Sequence, residues 1–277
     1  MYQAEDWPPS VPSIGLSLAF YGLALILVLI LSTVLAVSGH TSLQLGIALE
    51  LLAQWGFLFV PIVLLLWIRR YNIRKSLYLN VPARPALIAT LLMAPSSCIL
   101  LQQMYTWQTS LFPVPDDLNA LVEAVRNLGQ TKMGFAVLFA ATALSPPICE
   151  ELLYRGILLS SLRRRWGPLP STVVVALLFS LSHLHPYRIV LVAVLSVLLT
   201  YVVLRSGSVY LSMLFHFIVN GLSIVLLLRL HERYLPVLQY SEERGFARAI
   251  LIVSLLLFIA GVAILERHAR TAAARPH

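Results

Sequence analysis

Glu50, Glu150, Glu151, Arg155, His183 and His216 are ionisable residues placed inside long apolar runs, with His185 near the end of one and Asn220 adding an amide. An ionisable group within a membrane span is costly unless it is paired or faces a wet cavity, so each is a candidate for function. Their spacing narrows the roles. In SPPICEELLYRGILLSSLRRRWGP, Glu151 and Arg155 are related as i, i+4 with the acid first, the favourable order for an ion pair on a helix. That pairing engages Glu151 and leaves Glu150 pointing about 100° away. Pro146 and Pro147, just before, are expected to kink or locally unwind the helix and to free backbone groups. In STVVVALLFSLSHLHP, Phe179 and His183 share one helix face, and in VYLSMLFHFIVNGLSIVLLL so do His216 and Asn220.

The set has a definite chemical use. A carboxylate and a histidine at one level can activate a water as general base. A second histidine and an asparagine can donate hydrogen bonds to an oxyanion forming on an attacked carbonyl. Together they suit hydrolysis of a peptide bond without a covalent intermediate. No GxSxG offers a serine nucleophile. HExxH is missing too, since Leu184 and His185 follow His183. Neither GxGD nor paired intramembrane aspartates support an aspartyl protease. No cofactor is expected, although Glu150, His183 and His216 could ligate zinc, so a metal-assisted version stays open. Plainer uses stand beside these: a buried salt-bridge cluster for the acids and Arg155, packing for His183, an interfacial place for His185, helix–helix hydrogen bonds for His216 and Asn220. Glu50, in GIALELLAQW, either lines a cavity or bonds to a neighbouring helix.

These residues need a scaffold, and composition says which. Of 277 residues, 59% are hydrophobic and 12% charged, with mean hydropathy +0.84. Soluble proteins are about 45–50% apolar and about 25% charged. The apolar residues fall in runs of about 18–25, the length that crosses hydrocarbon as a helix. The expected fold is all-α, a polytopic membrane helix bundle of about eight transmembrane helices. The expected spans are about 13–37, 43–67, 85–104, 133–162, 170–184, 187–204, 208–229 and 248–265. The fifth and sixth are short and can be counted as one broken hairpin. Residues 1–277 are taken as a single integral membrane domain, with a motif-bearing core at about 130–225. The N-terminal MYQAEDWPPS is acidic, unlike a signal peptide, so the first span is expected to stay as a membrane helix.

Depth argues for convergence. Glu150 lies about 13 residues from one end of its span, roughly 20 Å at 1.5 Å per residue, and His183 lies equally far along the next. Asn220 lies roughly 18 Å along its own, with His216 one turn shallower. Packing residues with no common purpose have no reason to share a level.

The charge, net +8 with a pI of 9.8, reads as topology. With eight spans both termini share a side, and that side collects most of the Lys and Arg, including Arg69, Arg70, Arg74, Lys75 and Arg163–Arg165. Both termini are therefore expected in the cytoplasm, in a bacterial inner or cell membrane, with basic flanks against anionic headgroups. No nucleic-acid partner is expected; the partners are the bilayer and a membrane-associated protein or peptide substrate. Cys98 and Cys149 sit in apolar runs and give neither metal spacing nor a disulfide framework. DDLNALVEAVRNL reads as a short amphipathic helix at the interface.

Three motifs then coincide. Glu150-Glu151-Leu-Leu-Tyr-Arg155 matches EExxxR, Phe179 to His183 matches FxxxH, and His216 to Asn220 matches HxxxN. Their order and placement resemble the CAAX protease and bacteriocin-processing (CPBP) family of glutamic-type intramembrane proteases, which includes the Ras-converting CAAX endopeptidase. The resemblance covers about 130–225. It implies that Glu150 activates the water with help from His183, that His216 and Asn220 form the oxyanion site, that Glu151 and Arg155 hold the constellation together, and that Phe179 packs beside it. It also favours a metal-free mechanism. Substrates it would suit are a CAAX-type C-terminus, a peptide precursor or a C-terminal sorting tail. Two other classes compete. One is a non-catalytic scaffold or bacteriocin-immunity protein that uses the cluster for packing or partner binding. The other is a transporter, which calls for inverted repeats that are not evident.

Overall fold

A computed structural model describes residues 11–38, 42–183, 186–230 and 244–274. His185 and the acidic N-terminal stretch lie outside the described residues. Every extended element among the described residues is a helix: α1 (Ile14–Ser38), α2 (Leu43–Ile68), α3 (Arg84–Leu111), α4 (Asp116–Leu128), α5 (Lys132–Trp166), α6 (Pro168–Ser182), α7 (Ile189–Ser206), α8 (Val209–Leu228) and α9 (Arg244–Ala273). Seven of them are long and apolar enough to cross a membrane. The chain is an integral, multi-pass helical membrane protein.

The fifth expected span is short in the structure, as its sequence indicates. The run at 170–184 forms α6, of 15 residues, which ends at Ser182. At 1.5 Å per residue it is about 22 Å long, short of the roughly 30 Å hydrocarbon core. Gly167, at φ 79°, breaks the chain between α5 and α6, and Pro168 starts the new helix where its missing N–H has no partner to lose. The amphipathic segment is α4, with Leu118 buried.

The local unwinding expected of the proline pair takes the form of a widened turn just upstream. Residues Ala140–Leu144 widen into a π-helical turn, and Ser145–Glu151 follow as regular α-helix carrying Pro146 and Pro147. The prolines remove the donors that α- or π-type bonding would aim at Thr142 O, while their fixed φ suits the start of a new helical stretch. Further π-helical stretches occupy Ala53–Phe59 in α2 and Leu152–Leu158 in α5.

Contacts divide the chain into two compact units. The first comprises 1–82 and 145–213. Its core joins Tyr21 of α1, Ile62 and Leu66 of α2, Leu153, Tyr154, Ile157 and Leu158 of α5, Val175 and Phe179 of α6, and Val203 of α7. Gly156 permits close packing here, because a Cβ at that position would lie 2.6 Å from Leu77 Cδ2. Asn80 clasps the α7–α8 turn: its Nδ2 donates to Gly207 O at 2.8 Å, and its carbonyl accepts from Ser208 Oγ at 2.6 Å.

The second unit comprises 83–144 and 214–277, and its main packing is α3 against α9. Buried Ala86, Ala89 and Ala94 give α3 a small-residue face. Gly261 of α9 answers it: a Cβ there would sit 2.5 Å from Met93 Cγ and 2.9 Å from Ala89 O. Small residues let membrane helices approach closely where no water drives them together.

Candidate active site

Within the first unit, adjacent glutamates meet different environments. Glu151 is 0% exposed. Its Oε1 accepts from Arg155 Nη1 at 2.9 Å, and its Oε2 accepts from Ser212 Oγ. Arg155 is also 0% exposed, and its Nη2 donates to Ser196 O at 3.1 Å and to Ser196 Oγ at 2.8 Å. A buried charge pair needs its remaining hydrogen-bonding positions met, and Ser196 and Ser212 meet all of them but Arg155 Nε, which has no hydrogen-bond partner among the described residues. Both oxygens of Glu151 are thus engaged by fixed donors, which suits a brace more than a base.

Glu150, the next residue, is only half-buried. Its Oε1 accepts from Gln54 Nε2 at 3.2 Å, and the same nitrogen donates to Glu50 Oε1 at 2.8 Å. Trp55, beside Gln54, donates through Nε1 to Ser145 Oγ at 3.0 Å. The π-helical stretch of α2 therefore reaches α5 through two consecutive side chains.

His183 caps the C-terminal end of α6. Its Nδ1 lies 2.8 Å from Phe179 O. A carbonyl can only accept, so in the neutral imidazole Nδ1 carries the proton and Nε2 is the basic nitrogen. That is the tautomer a general base needs. The ring packs edge-on against Phe179, centroids 4.9 Å apart. Phe179 in turn meets Tyr154 at 4.8 Å and lies under the Arg155 guanidinium, with Cζ 4.6 Å from its centroid. Tyr154 donates to Ser182 Oγ at 2.7 Å, beside His183 in sequence. A continuous stack from Arg155 through Phe179 thus sets the position of the imidazole.

His216 and Asn220 lie one turn apart on the α8 stretch of the second unit. His216 is buried, at 3% exposure. Asn220 Nδ2 donates to Thr142 O at 2.9 Å. This is the carbonyl whose helical donors Pro146 and Pro147 cannot supply, so the amide serves the proline break directly. An Nδ2 group carries two hydrogens, and one remains after this bond.

Glu150, Glu151, Arg155, Phe179 and His183 therefore fall in the first unit, and His216 and Asn220 in the second. Among the described residues, no group of three or more His, Cys, Asp or Glu side chains is placed to hold a metal ion. Cys98 and Cys149 are buried, free thiols. Sequence inspection passed over Gln54, Tyr154, Ser182, Ser196 and Ser212. Two of them carried a signal, since Gln54 follows Glu50, and Ser212 precedes His216, by the same i, i+4 step as the motif pairs.

Comparison with protein families bears on the same stretch. Residues 132–222 match the family model described as type II CAAX prenyl endopeptidase Rce1-like. This segment is an Rce1-like domain. No curated protein and no solved structure matches the chain. The Rce1-like domain contains Glu150, Glu151, Arg155, Phe179, His183, His216 and Asn220. At the level of the family, the activity is CAAX-type proteolysis in a membrane, and the substrate class is a protein or peptide.

Proposed function

We propose that this protein is a glutamic-type intramembrane endopeptidase. It cleaves near the C-terminus or a membrane-proximal segment of a membrane-associated protein or peptide. What supports this is the contrast between adjacent carboxylates. Glu151 is closed off by Arg155 and Ser212, while half-buried Glu150 is oriented by a neutral amide. Glu150 takes a proton from water as the oxygen attacks the scissile carbonyl, and His183 assists through Nε2. His216 and Asn220, in roles that come from the HxxxN motif, donate to the oxyanion. The tetrahedral intermediate collapses, the C–N bond breaks, and the proton held by Glu150 passes to the leaving amine. The chemistry needs no covalent intermediate and is proposed without a metal. With α6 counted as the eighth crossing despite its length, the Lys and Arg distribution puts both termini in the cytoplasm.

The test uses full-length protein in lipid nanodiscs and a farnesylated peptide ending in a CAAX sequence. Glu150→Gln and His183→Ala should lose cleavage while keeping wild-type expression and helicity. Dialysis against a strong chelator should leave the rate unchanged. Cleavage by Glu150→Gln would sink the mechanism. Loss of the rate on chelation, restored by zinc, would replace it with a metal-assisted one. Full cellular function in both variants would instead indicate a scaffold or immunity protein acting by binding.

A further inference from the structure

Gln54 lies outside all three motifs and outside the matched segment. It is 2% exposed and sits in the π-helical stretch Ala53–Phe59. Widened turns of this kind are frequent at functional sites. Chemistry fixes how its amide faces. Carboxylates that are ionised can only accept, so the nitrogen points to Glu50 and Glu150 and the oxygen points away. Gln54 Oε1 is buried and has no hydrogen-bond partner among the described residues. Most buried side-chain polar atoms have a hydrogen-bond partner. Here one end joins two carboxylates and the other presents a bare acceptor.

The residue type is also informative. A neutral amide orients a carboxylate through a hydrogen bond without adding a charge of its own. Glu50, one helical turn before Gln54, takes the second contact of the amide nitrogen, so the amide is held from both sides.

We propose that Gln54 is a positioning residue: it holds the Glu150 carboxylate in its working orientation, and Glu50 holds Gln54. This rests on Glu150 being the base of the proposed endopeptidase. The arrangement follows the general logic of a catalytic base oriented by a further group.

Two readouts test it, both on full-length protein in nanodiscs. On the farnesylated CAAX peptide, Gln54→Leu should lower kcat by about 10- to 100-fold with KM nearly unchanged, the size expected when a reacting group is misplaced. Glu50→Gln, at an exposed position, should lower kcat less. The second readout needs no substrate. The infrared carboxylate band that disappears in Glu150→Gln should be displaced in Gln54→Leu and, by a smaller shift, in Glu50→Gln. If Gln54→Leu does not fold, Glu50→Gln decides on both readouts. An inactive Glu150→Gln together with wild-type kcat and an unmoved band in the Gln54 and Glu50 variants overturns the positioning role alone. Cleavage by Glu150→Gln overturns the role and the proposed mechanism together. Should the peptide resist even the wild-type protein, the band position alone supports or overturns the role.

Discussion

Replacing Arg155 by Met should destabilise the protein more than replacing Arg155 and Glu151 together. The guanidinium makes three hydrogen bonds, one to Glu151 at 2.9 Å and two to Ser196 at 3.1 and 2.8 Å, and both charged side chains are 0% exposed. Met fills much of the stem volume but leaves the Glu151 carboxylate buried with Ser212 as its remaining named donor. Removing one member of a buried ion pair costs about 3–5 kcal/mol, because the other charge is left uncompensated. Loss of the cation stacked on Phe179 adds to this, since a desolvated contact of that kind is worth about 2 kcal/mol. The double variant Glu151→Met/Arg155→Met removes the uncompensated charge, and apolar replacement of a whole pair is often neutral. It should therefore recover at least about 2 kcal/mol relative to Arg155→Met alone, within the range of coupling measured between contacting residues. Equilibrium unfolding in mixed micelles titrated with dodecyl sulfate, followed by circular dichroism, gives both values. If the single costs simply add in the double variant, the buried pair is not a coupled brace and the account of Glu151 is wrong.

Other perturbations test the remaining supports. Gly261→Leu should cost about 1–3 kcal/mol or more in the same titration, because the new side chain meets Met93 and the Ala89 backbone, and backbone cannot move aside cheaply; wild-type stability would mean that α9 does not pack on α3 there. Asn220→Leu should lose about 1–3 kcal/mol of stability as well as cleavage, since Thr142 O loses its side-chain donor beside the proline pair. Stability unchanged in that variant would assign Asn220 to chemistry alone. Tyr154→Phe keeps the ring against Phe179 but loses the bond to Ser182, and should cost about 1 kcal/mol. An unfolding curve superimposable on wild type would remove that hydroxyl from the support of α6.

Sequence carried the membrane architecture well because a span is a one-dimensional property: enough consecutive apolar residues cross a bilayer wherever their neighbours lie. The Glu151–Arg155 contact was also legible, since helix geometry alone brings i and i+4 together. Features set by tertiary contacts were not. The π-helical stretches at 53–59 and 152–158 depend on which carbonyl each N–H selects, and composition does not record that choice. The proline pair announced a break, but the break took the form of a widened turn before Ser145 with Asn220 serving Thr142 O. Gln54 went unnoticed because an uncharged amide hardly disturbs a hydropathy window, although it makes the named contact to Glu150. The run at 170–184 was legible as a short helix, and α6 has the same length set two residues earlier, because Gly167 and Pro168 fix its start.

The closed pair in α5 has an electrical consequence. Moving one elementary charge across a membrane potential involves about 2.3 kcal/mol per 100 mV. A lone Arg155 in the span would feel that force whenever the helix shifted. Joined to Glu151 at 2.9 Å, it travels with an opposite charge, and the pair carries no net charge for the voltage to pull. A membrane can therefore polarise or depolarise around α5 without this pair driving the helix along its axis.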